Sequence, residues 1–273
     1  MIIKAFAKIN LRLKVLGITD NYYHNLQMVN CKINLFDKIV IKKIKEKNII
    51  IDMPLVKKEE NLVYKIAKKM FEQYNLPNGI YIKIKKNIPI GAGLAGGSAD
   101  GAAVINAIDK IYKLNLSLEE KRNIALLFGT DIVYCLEEKI ALVEKIGDKI
   151  TNLERVINSN ILIINPNFSV LTKDIFRSYD EENLFSKELS LEEIEKMPLD
   201  EMIDNDLEEV VFKKYPEVKE LKINLKKKGY KYTSMSGSGP TIFVLGNKRT
   251  LKKLYCSLKK EYKDYNIYFT KIK

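Results

Sequence analysis

Apolar and polar residues alternate strictly over the first stretch of the chain. Ile3, Ala5, Ala7, Ile9, Leu11, Leu13 and Val15 fall on one side, and Lys4, Phe6, Lys8, Asn10, Arg12 and Lys14 on the other. A period of two predicts a β-strand with one buried face, from whose other face Lys8 and Asn10 project together. Taken alone, that second face reads as solvated. Further strands are predicted around Cys31 to Ile44, Asn48 to Met53 and Ile80 to Lys85, the last with one wet face. Between them Leu62, Val63, Ile66, Ala67, Met70, Phe71 and Tyr74 recur at helical spacing behind Asn61, a residue suited to an N-cap. Ser117 and Glu120 form a capping-box pattern for a helix that runs to about Phe128. Gly129-Thr130-Asp131 then stops that helix and presents an acid before the apolar run Ile132 to Leu136.

After Asn160 the pattern changes. A strand at Ile161–Ile164, a capped helix near Ser190–Met197, and a helix from Glu217 to Lys228 stopped by Gly229 lead to a strand at Tyr230–Met235. The turn Ser236-Gly237-Ser238-Gly239-Pro240, a strand at Thr241–Leu245, a helix from Arg249 and a strand near Tyr265–Ile272 follow. This order predicts an α+β protein whose second lobe is ferredoxin-like.

The chemistry is concentrated in one stretch: Pro89-Ile90-Gly91-Ala92-Gly93-Leu94-Ala95-Gly96-Gly97-Ser98-Ala99-Asp100-Gly101. Five of the 13 glycines lie between Gly91 and Gly101, and a helical pattern with Val104, Ile108 and Ile111 at i, i+4 and i+7 begins just after. Glycines let backbone N–H groups wrap an anion, and the N-terminus of the following helix adds its dipole. The stretch is therefore read as a phosphate cradle. Gly91, Gly93 and Gly96 satisfy G-x-G-x-x-G, but the preceding strand is half wet, unlike the doubly buried strand of a dinucleotide-binding unit. Gly97 stands where a Walker A loop needs lysine, and no Asp-Phe-Gly occurs, which excludes a P-loop and a protein-kinase loop.

The formal net charge of +12 favours an anionic partner such as a nucleotide. Only five of the 47 basic residues are arginine, and the lysines are scattered without interleaved aromatics, so nucleic acid is the weaker reading. No apolar run is long enough for a membrane span, and Lys4 and Lys8 interrupt a secretory core, so a cytoplasmic protein without a membrane partner is expected. Cys31, Cys135 and Cys256 are far apart and odd in number, which suggests neither a disulfide framework nor a zinc site.

Ala7-Lys8-Ile9-Asn10-Leu11, the glycine loop and Met235-Ser236-Gly237-Ser238-Gly239 occur in the order found in the galactokinase, homoserine kinase, mevalonate kinase and phosphomevalonate kinase superfamily, which the chain resembles. Tyr23-His24, Gly129-Thr130-Asp131-Ile132 and Asn205-Asp206-Leu207-Glu208 are similar to a branch whose acceptor is an alcohol linked to cytidine diphosphate. The resemblance implies a two-lobed small-molecule kinase fold: residues 1–155 as a β-rich ATP-binding lobe with the catalytic residues, and 156–273 as the ferredoxin-like lobe. It implies Asp131 as general base on the acceptor hydroxyl and Lys8 between that hydroxyl and the γ-phosphate. Asn10 would hold the polyol, Tyr23 and Phe176 would sandwich the cytosine, and His24 would read its polar edge. Asn61 and Lys86 would lie at the adenine and Pro89 to Ala99 around the phosphates of ATP, with Mg²⁺ neutralising them; no metal-ligand set is implied. The chain departs from the branch at Asn21-Tyr22 and Asn25 around Tyr23-His24, at Val133 in place of a proline, and at Glu138-Lys139 in place of glycines. Beside this reading stand another kinase of the superfamily, of homoserine or mevalonate type, and a degenerate nucleotide- or RNA-binding protein.

Overall fold

The computed structural model describes residues 1–182 and 184–273. In chain order the elements are β1 (Ile2–Ile18), β2 (His24–Ile44), β3 (Ile49–Asp52), α1 (Leu62–Gln73), β4 (Gly79–Lys85), α2 (Gly96–Tyr112), α3 (Leu118–Leu126) and α4 (Thr130–Leu136). They continue with β5 (Ala141–Lys145), β6 (Lys149–Asn152), β7 (Asn160–Asn165), α5 (Thr172–Glu182), α6 (Leu191–Lys196), α7 (Leu199–Met202) and β8 (Asp204–Asn205). The chain ends with α8 (Glu208–Lys214), α9 (Pro216–Lys227), β9 (Thr233–Met235), β10 (Ile242–Gly246), α10 (Lys248–Glu261) and β11 (Asn266–Lys271). Two compact units divide them: Met1–Ala7, Leu35–Ile88 and Ala95–Glu138 form the first, and Lys8–Asn34, Pro89–Leu94 and Lys139–Lys273 the second.

In the first unit β4 lies between β3, parallel to it, and the second half of β2, antiparallel with Lys38 opposite Lys85. Ile39, Ile41, Ile80 and Ile82 are fully buried, while Lys83 and Lys85 on the alternate positions of β4 stay in water. Helix α1 starts where Asn61 Oδ1 accepts the backbone N–H groups of Val63 and Tyr64, and α3 starts with the complete Ser117–Glu120 capping box. α2 packs closely on α1 because Gly101 has no side chain; a Cβ there would come within 2.7 Å of Ile66 Cδ1. The run Ile132–Leu136, which has no period long enough to read, forms the short buried helix α4.

The second unit carries the ferredoxin-like element. Its four strands run β11-β7-β10-β9, all antiparallel, with Ile242 opposite both Ile164 and Met235. Connectivity through α9 and α10 completes a β-α-β-β-α-β pattern, and Val218, Leu221, Leu225, Leu251, Leu254 and Leu258 bury the apolar stripes of the two helices. Elsewhere in this unit β8 pairs parallel to β1 (Arg12 opposite Asp204), and β5 lies between the first half of β2 and β6.

Two expectations need correction. Along its middle the polar face of β1 is not solvated: Lys8, Asn10 and Arg12 are buried together with their apolar neighbours, while Lys4 stays exposed. The second strand, expected around Cys31 to Ile44, also starts earlier, at His24, so that the polar stretch Thr19–Gln27, which reads as a turn, is partly strand, with Leu26 and Gln27 paired with Lys145 and Glu144. No helix among the described residues is long and apolar enough to cross a membrane.

Candidate active site

Three segments far apart in sequence meet in the second unit. Ser236 Oγ donates to the Gly93 carbonyl at 2.9 Å and accepts the Asn10 N–H at 3.3 Å, so one hydroxyl ties β1, the glycine loop and the Ser236 turn together. The Lys8 N–H donates to the Leu94 carbonyl at 3.1 Å, which fixes the same loop to β1 from the other side. Gly93 is required here. Its φ is +71°, and a Cβ would lie 2.1 Å from the Ser236 carbonyl oxygen. Gly91, also at positive φ, sits against Ser169, whose hydroxyl donates to the Ile90 carbonyl at 3.2 Å.

The Ser236 turn is braced in turn by Asn205. Its Nδ2 donates to the carbonyls of Met235 and Gly237, each at 2.9 Å, while its Oδ1 accepts the Leu207 N–H at 3.0 Å. The Asn205-Asp206-Leu207 signature is thus a structural brace. Asp206 continues it, accepting from Lys14 Nζ at 2.6 Å, Val15 N–H at 2.9 Å and Ser186 Oγ at 2.8 Å.

Within this frame Lys8 Nζ donates to Asn10 Oδ1 at 2.9 Å, and Asn10 Nδ2 donates to Asn30 Oδ1 at 2.6 Å. Both side chains are held on the buried polar face of β1. His24 Nε2 lies 2.6 Å from Asp180 Oδ1, and the His24 ring packs on Phe176 with centroids 4.3 Å apart and 30° between planes. Tyr23 is 62% exposed and is tied to Thr19 through its backbone: its carbonyl accepts from the Thr19 N–H at 2.7 Å and from Thr19 Oγ1 at 3.0 Å, and its N–H donates to Thr19 Oγ1 at 3.1 Å. Phe176 therefore meets His24, and the Tyr23 ring stands in solvent.

The first unit holds Asn61, Lys86, Ala95 to Ala99 and Asp131, and the second holds the loop residues Pro89 to Leu94. Ala95, at φ +52°, opens α2, whose first turn, Gly96 to Ala99, has no side-chain cap. The Ala99 N–H donates to the Ala95 carbonyl at 2.9 Å, and the N–H groups before it, Gly96 to Ser98, point out of the helix end as donors of the kind that hold anions. A Cβ on Gly97 would meet nothing within 4 Å, so space remains in front of this turn, whereas one on Gly96 would meet Ile88 at 2.9 Å. Pro89, Ile90, Ala92 and Leu94 differ in exposure: Ala92 and Leu94 are buried anchors, and Ile90 is 56% exposed. Asn61 is buried and committed through Oδ1 to capping α1. Asp131 lies in the first turn of α4, half-buried, where the helix dipole favours a negative charge.

Lys86 is not a free cation. Its ammonium contacts Asp37 Oδ2 at 2.5 Å and Asp100 Oδ2 at 2.7 Å, beside the start of α2, with both carboxyls buried. Asp37 Oδ1 also accepts the N–H groups of Asn87 and Ile88, at 2.5 and 2.9 Å. Burial lowers the Lys86 pKa, but the two carboxylates outweigh it and hold the value above that of an ordinary lysine. Burial pushes Asp100 up to about 7, with Lys86 opposing and Asp37 reinforcing the rise. Asp100 Oδ1 is buried and without a hydrogen-bond partner among the described residues, which leaves its charge poorly compensated and adds to the upward shift. Asp37 and Asp180 are not among the residues singled out from the sequence, and Asp100 is there only as the end of the glycine stretch, without a role; of the first two, Asp180 carries a local signal, four residues after Phe176 on one helix face.

The GHMP kinases N terminal domain family matches residues 61–138, and the GHMP kinases C terminal family matches residues 188–264. A 4-diphosphocytidyl-2-C-methyl-D-erythritol kinase of Clostridium botulinum (strain Langeland / NCTC 10281 / Type F) is 38% identical over 274 residues, covering 97% of this chain and 98% of its own. One of Clostridium perfringens (strain SM101 / Type A) is 37% identical over 282 residues, covering 99% and 98%. A crystal structure of 4-(cytidine 5'-diphospho)-2C-methyl-D-erythritol kinase is similar with a TM-score of 0.86 and 27% identity, covering 100% of this chain and 99% of that one. The chain belongs to the GHMP kinases, ATP-dependent phosphotransferases, and within them to the 4-diphosphocytidyl-2-C-methyl-D-erythritol kinase family.

Proposed function

We propose that this chain transfers the γ-phosphoryl group of ATP to the 2-hydroxyl of 4-diphosphocytidyl-2-C-methyl-D-erythritol, a step of non-mevalonate isoprenoid precursor synthesis in the cytoplasm. The observation that carries the proposal is the convergence of β1, the glycine loop and the Ser236 turn on one hydroxyl, with Lys8 and Asn10 held beside it.

In this reading the phosphates of ATP lie against Pro89 to Ala99, on the open N–H groups of α2. Asn61 and the alkyl stem of Lys86 flank the adenine, while the Lys86 ammonium stays with its two carboxylates. Asp131 accepts the proton of the attacking hydroxyl, and Lys8 spreads its positive charge over the attacking oxygen and the phosphoryl group in flight. Asn10 orients the polyol, and Tyr23, His24 and Phe176 receive the cytosine. The functional division falls at residues 1–155 and 156–273, supported by the family matches, each of which lies within one part.

Mg²⁺ binds oxygen and prefers substrate phosphates with few protein ligands. Among the described residues no group of three or more His, Cys, Asp or Glu side chains could hold a metal by itself. An ion carried on the ATP phosphates would fit this, with the Ser98 hydroxyl in the first turn of α2 as the oxygen the chain would offer it. Held there, it would supply charge neutralisation for the phosphoryl group being transferred.

ADP release with Mg-ATP and a panel of acceptors tests the proposal. Turnover with the cytidyl substrate and none with mevalonate or homoserine is expected; phosphorylation of mevalonate without inhibition by millimolar CDP contradicts it.

A further inference from the structure

The geometry points to Asp180 as a positioning residue that fixes the tautomer of His24 and thereby makes the base site prefer cytosine to uracil. The inference rests on the reading of Tyr23, His24 and Phe176 as the base site.

Helix α5 presents Phe176 and Asp180 four residues apart, on the same side, and both touch one imidazole. Phe176 packs on the face of the ring, and Asp180 Oδ1 takes its Nε2 edge at 2.6 Å. Together they fix the plane of the ring and its rotation within that plane. An ionised carboxylate can only accept, so Nε2 must carry the hydrogen. In the neutral imidazole the remaining nitrogen, Nδ1, is then an acceptor. Without Asp180 the two tautomers would be free to exchange.

This choice of tautomer matters because the two pyrimidines have opposite hydrogen-bonding senses at the group on C4 and at the adjacent N3, and in this reading the group on C4 is the one that meets Nδ1. Cytosine offers an exocyclic amino group, a donor, where uracil offers a carbonyl oxygen, an acceptor. An Nδ1 held as acceptor pairs with the amino group and faces the uracil oxygen lone pair to lone pair. A site built around one hydrogen bond rejects the analogue that cannot make it, because the buried polar groups are left unpaired. An Asn at position 180 can accept from Nε2–H through Oδ1 or donate to a bare Nε2 through Nδ2, so Nδ1 is no longer held as an acceptor and the preference is lost.

His24 is the only histidine in the chain, so its ring nitrogens can be read without assignment ambiguity. The first measurement is ¹⁵N NMR of untagged, histidine-labelled protein near pH 8, where an ordinary imidazole is neutral. One protonated nitrogen, assigned to Nε2 by its coupling pattern, and one bare Nδ1 are expected. A neutral ring protonated at Nδ1 overturns the inference without any variant being made.

The second measurement is calorimetric binding of CDP and UDP to the wild type, Asp180→Asn and Asp180→Glu. Wild type is expected to bind CDP at least about 10-fold more tightly than UDP, which corresponds to about 1.4 kcal/mol. Asp180→Asn should bring the two within about 3-fold through weaker CDP binding, and Asp180→Glu, which keeps the carboxylate, should keep most of the preference. The KM for ATP should stay at its wild-type value in both. A CDP-to-UDP ratio unchanged in Asp180→Asn, whatever happens to the absolute affinities, assigns Asp180 a merely structural role and overturns the inference. Equal binding of CDP and UDP by the wild type overturns it while leaving the base site in place, and failure of both to bind overturns the base site itself.

Discussion

Replacing Gly97 by alanine separates folding from phosphate binding. Gly97 is the second residue of α2, and a methyl group built there meets no atom within 4 Å. The chain has no reason to move. Gly-to-Ala changes inside helices gain about 0.5–1 kcal/mol, of which a first-turn position receives a part, so stability should hold or rise slightly. The cost falls on ATP, because the methyl occupies the space in which the proposal puts a phosphate. Overfilling a close-packed site costs about 1–3 kcal/mol, which is about 5- to 150-fold in affinity. Gly93→Ala is the contrasting perturbation. There the methyl would sit 2.1 Å from the Ser236 carbonyl oxygen at a φ of +71°. Ser236 cannot yield easily, since its N–H donates to the Thr241 carbonyl at 2.9 Å and its carbonyl accepts the Gly239 N–H at 3.0 Å. Left-handed strain of about 1–2 kcal/mol and overpacking of about 1–3 kcal/mol sum to about 2–5 kcal/mol, a large share of an ordinary domain's stability. Thermal melting and the KM for ATP, measured on both variants, give the answer. Gly97→Ala should melt with the wild type and show an ATP KM raised at least about 5-fold, with the acceptor KM unchanged, and Gly93→Ala should melt early. If Gly97→Ala keeps its ATP KM within 2-fold, the phosphates do not approach the first turn of α2 and the reasoning fails.

Other substitutions probe single groups. Asp131→Asn should lower kcat by about 10²- to 10⁴-fold with ATP affinity within a few fold, and near-normal turnover would show that Asp131 is not the base. Lys8→Ala should slow the chemical step by about 10²- to 10³-fold, the range seen when a donor to developing negative charge is removed; an unchanged single-turnover rate contradicts that role. Asp100 has a folded-state pKa of about 7, above the ordinary 3.8, so its folded form binds the proton more readily than its unfolded form. Its contribution is therefore complete below about pH 4 and lost as pH rises through about 7, by at most about 4 kcal/mol. Urea denaturation should show Asp100→Asn gaining on the wild type between pH 5 and pH 8. Parallel stability curves for the two proteins over that range would contradict the buried-carboxyl account.

Periodicity made β1, β4, α1 and α9 legible, and local capping chemistry located the starts of α1 and α3 at Asn61 and Ser117. Burial was not legible in the same way. The alternation of β1 says which residues share a face, but Lys8 and Asn10 are buried because Asn30 and Ser236 satisfy Asn10 from far along the chain. Helix α5 was unreadable for a related reason: only Ile175 and Tyr179 of its residues are buried, too thin a stripe to show a period. Lys86 shows the limit most sharply. Its place beside the glycine loop was readable, but its ion pairs with Asp37 and Asp100 join three segments that no local pattern links. In the sequence the glycine loop reads as a phosphate cradle; in the structure Gly93 and Gly101 allow close packing, and of the loop's glycines Gly97 faces open space.

The most direct test of the central claim is to incubate the purified chain with Mg-ATP and 4-diphosphocytidyl-2-C-methyl-D-erythritol, then locate the new phosphate by mass spectrometry and ³¹P NMR. One added phosphate, as a monoester on the tertiary 2-hydroxyl and formed in step with ADP, is the predicted result. ADP without a phosphorylated acceptor, or a phosphate on any other hydroxyl, would contradict it.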